Sequence, residues 1–106
     1  MIIMASGEPA VSLTQEIVRL CSPEEIWLYN RKLDLDGNIT SFKLCIVTRE
    51  PDRGALEERI YLSLDCPVPY DLTVYTLAEW EMACQSPHSF AQTIRMKGQK
   101  LYGKTA

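Results

Sequence analysis

Ile39-Thr40-Ser41-Phe42-Lys43-Leu44-Cys45-Ile46-Val47-Thr48 is the stretch on which the fold turns. Phe42, Leu44 and Ile46 alternate with Ser41 and Lys43, and the alternation then closes into an unbroken apolar run through Cys45 and Val47. Alternation marks a half-buried strand and a continuous run marks one buried on both faces, so this segment is expected to be a central strand. It is preceded by Asp36-Gly37, a dipeptide that favours the positive φ of a tight turn. Lys32 to Asn38, in which Leu33 and Leu35 alternate with polar residues, should therefore form the hairpin leading into it. Glu25 to Asn30, with Ile26, Trp27, Leu28 and Tyr29 in sequence, reads as a further strand.

Outward from this core, Ser12 with Gln15 three residues later suggests a capping box. It would open a short helix with the stripe Val11, Ile17, Val18 and Cys21, stopped by Ser22-Pro23. Ala55 to Leu64 places Leu56, Ile60 and Leu64 on one helical face and Glu57, Glu58 and Arg59 on the other. Cys66-Pro67-Val68-Pro69 forces an extended connection into a third strand, Tyr70 to Tyr75. Thr76 with Glu79 repeats the capping box and opens a short helix through Trp80 and Met82. Ser86-Pro87 leads to a last helix, Ser89 to Lys97, ended by Gly98, with Leu101 and Tyr102 as a closing apolar hook. The expected fold is α+β: a small mixed β-sheet with helices packed on one face, the face to which Phe42, Leu44 and Ile46 point. One domain over residues 12–103, after a flexible start over residues 1–11, suits a chain of 106 residues.

A net charge of −3, with basic residues scattered until Arg95, Lys97, Lys100 and Lys104, argues against nucleic acid as a partner. Cys21, Cys45, Cys66 and Cys84 form no metal-binding spacing, and His88 stands apart from them, so structural thiols and no metal are expected. The short apolar start lacks the basic flank of a secretion signal, and no stretch is long enough to cross a bilayer, so cytoplasm is the expected compartment. Asp34-Leu35-Asp36-Gly37-Asn38-Ile39 resembles the middle of a calcium loop, but its first and twelfth ligand positions fall on Lys32 and Lys43. Two ammonium groups cannot hold a cation, and the stretch is read as a turn.

From Pro23 onward the chain resembles the minimal nucleotidyltransferases of the DNA polymerase beta superfamily. Pro23-Glu24-Glu25-Ile26-Trp27-Leu28-Tyr29 is similar to the family's opening, and Val68 to Thr76 to its third strand. Ser89-Phe90, Ile94, Gly98, Lys100, Leu101 and Tyr102 are similar to its closing helix and tail. Active members carry a Gly-Ser pair that receives the triphosphate and an Asp-x-Asp pair that, with a third Asp, holds two magnesium ions. Here Asn30-Arg31 stand in place of Gly-Ser, Ser41 and Lys43 in place of the paired aspartates, and only Asp71 keeps its slot. A register shifted by one residue puts Phe42 and Leu44 there instead, again without a carboxylate.

The resemblance therefore implies a degenerate member with no catalytic residue, no bound metal and no cofactor. Its remnant site would comprise Asn30, Arg31, Ser41, Lys43 and Asp71, acting as an interaction or regulatory module. Family habit implies an antitoxin-like role beside a helical partner of the HEPN type, or a homo-oligomer. Two other readings stand beside it: a nucleotidyltransferase whose metal site pairs Asp71 with Asp34 or Asp36 of the hairpin, and a binding module holding a nucleotide or other anion on Arg31, Lys32 and Lys43. A Lys43–Asp71 ion pair in place of the metal is a further expectation.

Overall fold

The structure is a computed structural model that describes residues 9–104. Its elements run α1 (Pro9–Cys21), β1 (Glu25–Leu33), β2 (Ile39–Thr48), α2 (Arg53–Ser63), β3 (Tyr70–Thr76), α3 (Leu77–Cys84), α4 (Phe90–Lys97) and β4 (Gln99–Gly103). The strands make one mixed sheet in the order β3-β2-β1-β4, antiparallel except where β2 and β3 run parallel. The expected α+β mixed sheet with a central β2 is thus observed, and no helix among the described residues is long and apolar enough to cross a membrane.

Side-chain alternation along β2 divides the interior in two. Phe42, Leu44 and Ile46 point with Ile26, Leu28, Leu72 and Val74 toward Ala10, Leu13 and Ile17 of α1 and Leu56 and Ile60 of α2. Cys45 and Val47 point the other way, with Trp27, Tyr29 and Tyr75, against Trp80 and Cys84 of α3 and Ala91 and Ile94 of α4. Helices accordingly pack on both faces, which corrects the single-face arrangement. The cause is already present in β2: Cys45 and Val47 are fully buried, and an apolar residue on each side of a strand needs a layer on each side. Trp27 and Tyr29 alternate with Leu28 as expected.

Several boundaries also move. Helix α1 starts at Pro9, a residue suited to a first helical turn because its fixed φ is preorganised and its missing N–H costs nothing there. Ser12 therefore lies inside the helix and opens nothing, and the buried stripe is Ala10, Leu13, Thr14 and Ile17. Residues 9–11 of the expected flexible start are helical, and the remainder of that start lies outside the described residues. Strand β1 does not end at Asn30 but continues through Arg31 and Lys32 to Leu33, with a bulge at Tyr29 between the pairs Leu28–Leu44 and Asn30–Lys43.

The Asp34–Asn38 turn closes the hairpin as read. Gly37 takes φ +85°, and the Asp34 carboxylate accepts from the backbone N–H groups of Asp36 and Asn38, each at 2.9 Å. These donors hold the exposed Asp34 carboxyl below its ordinary range, that of Asn38 foremost. The Thr76–Glu79 capping box is formed, and Ser89 caps α4. The apolar hook expected at Leu101 and Tyr102 is strand β4, paired with β1 from Glu25 to Leu28. Gly98 lets α4 turn directly into it: a Cβ there would lie 2.6 Å from the Ile94 carbonyl oxygen and 3.1 Å from that of Leu28.

One buried polar group is out of keeping with this interior. Thr14 is 5% exposed and its Oγ1 has no hydrogen-bond partner among the described residues. Because a buried unpaired hydroxyl costs about 1–3 kcal/mol, Thr14→Val should raise stability by about 1 kcal/mol, read as a higher urea midpoint at unchanged slope. A midpoint lowered by the substitution would show that the hydroxyl is engaged.

Candidate functional site

The sequence-predicted residues converge. Asn30, Arg31 and Lys32 on β1, Ser41, Phe42 and Lys43 on β2, and Pro69, Tyr70 and Asp71 at the start of β3 line one cleft of about 240 Å³. All six residues of the expected remnant and anion-binding sets are therefore in it, while Asp34 and Asp36 are not among its lining residues. Register explains why. The β1–β2 pairs Asn30–Lys43 and Lys32–Ser41 put two of the cleft residues from each strand side by side, and the parallel β2–β3 pair Lys43–Asp71 adds the carboxylate. β1 and β2 continue past the first residues of β3, and the step between the ribbon and the shorter strand opens the cleft at the amino ends of the parallel pair.

Aromatic side chains pack on both faces of the sheet behind these strands. Phe42 and Tyr70 stack with ring centroids 5.9 Å apart, and Tyr61 of α2 stacks on Tyr70 at 5.1 Å. On the other face of the sheet, Tyr29 Oη and Thr73 Oγ1 share a hydrogen bond of 3.0 Å, and the Phe90 ring meets Tyr29 edge-on at 5.3 Å. Burial pushes the Tyr29 hydroxyl above its ordinary range, with Thr73 acting against the shift and Cys45 and Asp71 adding to it. The group stays protonated at neutral pH.

Lys43 and Asp71 are register neighbours on one face of the sheet, both exposed, but they are not joined. Ion pairs do form between Glu24 and both Arg49 and Lys104 and between Arg53 and Glu79. The expected Lys43–Asp71 pair is thereby corrected: two solvated side chains gain too little from pairing to offset the entropy of fixing them. The Asp34 carboxylate is committed to its own turn, and among the described residues no three His, Cys, Asp or Glu side chains gather where they could hold a metal ion. No helix follows Asn30-Arg31, so those residues sit within a strand rather than at a helix N-terminus.

Two hollows lie at the opposite, carboxyl ends of β2 and β3, and the sequence reading missed both. One of about 680 Å³ is lined by Pro51, Asp52, Arg53, Gly54, Glu57 and Val74. The other, of about 420 Å³, is lined by Arg49, Pro51, Thr76, Leu77, Ala78 and Glu81. Their signal was available: adjacent parallel strands each followed by a helix place two helix N-termini together. Those N-termini are already occupied, since Asp52 accepts from the Ala55 N–H and Thr76 from the Glu79 N–H. Cys45 and Cys84 are buried and Cys21 and Cys66 partly so, all four as free thiols. Compared with known proteins, the chain matches no family model and no curated protein.

Proposed function

We propose that the chain is a catalytically inactive, nucleotidyltransferase-like module that works by binding, with the β1–β2–β3 cleft serving as an anion pocket. The observation that carries the reading is the composition of that cleft, whose lining includes Arg31, Lys32 and Lys43 and the single carboxylate of Asp71. Three cations against one carboxylate favour a phosphate-bearing ligand and disfavour a magnesium pair, which needs several carboxylates to offset its charge. Asn30 and Ser41 add neutral hydrogen-bonding groups. The module would act on a protein partner, a helical HEPN-type chain or a second copy, in an antitoxin-like or other regulatory role.

The test is thermal denaturation with ATP or tripolyphosphate, each with and without magnesium. A ligand at about a hundred times its dissociation constant stabilises the folded form by about 2.7 kcal/mol. The expected result is a rise in Tm that persists in EDTA, shrinks in high salt and is lost in Lys43→Ala. Magnesium-dependent, Asp71-dependent transfer of labelled nucleotide to protein or nucleic acid would overturn the reading, as would the absence of any shift.

A further inference from the structure

Strand β3 is an edge of the sheet, and its outer side is not bare. The Phe42 N–H donates to the Pro69 carbonyl, which fixes the phase of the parallel pair. Residues 69, 71, 73 and 75 then turn their backbone groups toward β2, and Tyr70, Leu72, Val74 and Thr76 turn theirs away from the sheet. At the last three of these outward residues one backbone group is taken by a side chain. The Leu72 N–H donates to Tyr61 Oη at 2.9 Å, the Val74 carbonyl accepts from Arg53 Nη1 at 3.5 Å, and the Thr76 N–H donates to Glu79 Oε1 at 3.0 Å. Arg53 Nε also lies 3.4 Å from that Glu79 oxygen, so helices α2 and α3 reach the edge from opposite faces and meet over it.

Edge strands present unpaired N–H and C=O groups that template pairing with another chain, and the residues of this strand are the β-branched and aromatic types that pair well. The opposite edge is protected by simpler means. β4 has five residues, is bulged against β1, and carries Lys100, with Lys104 just beyond it. Tyr61 and Arg53 each sit on α2, partly exposed, with the polar end on the β3 backbone.

We infer that Tyr61 and Arg53 close the β3 edge against strand addition by a second copy of this chain. The inference is independent of the cleft reading, because neither side chain lines the cleft.

The test combines self-association with amide exchange, using Tyr61→Phe and the double variant Tyr61→Phe/Arg53→Met. Tyr61→Phe keeps the ring stacked on Tyr70 and removes only the hydroxyl, so its folding is not at stake. Opening two backbone groups, each worth about a factor of five in an intermolecular hydrogen bond, should tighten self-association of the double variant by roughly tenfold to thirtyfold over wild type in sedimentation. In dilute solution the Leu72 amide should exchange faster in both variants than in wild type. At high concentration it should regain protection in the double variant, because a second β3 then covers it. A folded double variant that stays as monomeric as wild type would overturn the inference. So would association that leaves the Leu72 amide unprotected, since the contact would then lie elsewhere.

Discussion

Replacing Trp80 with alanine is expected to cost about 3–5 kcal/mol, a large part of the roughly 5–15 kcal/mol that holds a domain folded. Trp80 is 3% exposed on α3 and lies between Trp27 of β1, at 6.0 Å between ring centroids, and Tyr75 of β3, at 5.4 Å. It is the largest buried side chain between the sheet and the α3–α4 layer, and its removal would leave a void that Cys45, Val47 and Cys84 are too small to fill. For a domain of this size the expected fall in Tm is at least about 12 °C. Met82 on the same helix is 74% exposed, and Met82→Ala should stay within about 0.5 kcal/mol of wild type. Trp80→Ala costing under about 1 kcal/mol would mean that the second layer contributes little to folding and that one face of the sheet suffices.

That second layer marks the limit of what could be read from residues alone. The apolar run Leu44 to Val47 contains the information that β2 is buried on both faces, yet which helix covers which face depends on α3 and α4 returning across the sheet after β3. The Thr76–Glu79 cap was legible because donor and acceptor lie three residues apart, but the same spacing at Ser12–Gln15 falls inside α1, and the Ser89 cap was not anticipated, since Ser86-Pro87 carries the stronger turn signal. Strand β4 was not legible. It has five residues, none fully buried, and its pairing partner β1 lies some seventy residues earlier, a separation that no local pattern encodes. The cleft residues were reached through a resemblance rather than through spacing, and what brings them together is the strand register: Lys43 beside Asn30 and Asp71. The closing of the β3 edge was invisible for the same reason, since Tyr61 meets Leu72 only after α2 has packed on the sheet.

Alkaline solution should unfold this protein early, and Cys45 should account for a measurable share of the loss. The residue is fully buried beneath α3, and burial pushes its thiol from an ordinary 9.0 up to about 12, with the neighbouring Cys84 and Glu25 adding to the shift. Between those two values the unfolded chain releases the Cys45 proton while the folded chain keeps it. The folded state then binds more protons, and stability must fall as pH rises. The contribution is fully present below pH 9 and is lost toward pH 12, with a slope of up to about 1.4 kcal/mol per pH unit for this one group. Tyr29, Tyr61, Tyr70 and Tyr75 are all raised above 10 by burial first of all, so they act with the same sign at the upper end of the window. Urea denaturation under reducing conditions from pH 7.5 to 10.5 should therefore give a flat stability that turns downward above about pH 9. In Cys45→Ala the starting stability is lower because the buried Sγ is lost, but the downward slope should be shallower by about half a proton at pH 9, rising toward about one proton at pH 10. If the two proteins lose stability in parallel over that interval, Cys45 ionises as readily when folded as when unfolded, and the occlusion of the β2 face by α3 and α4 is weaker than its geometry implies.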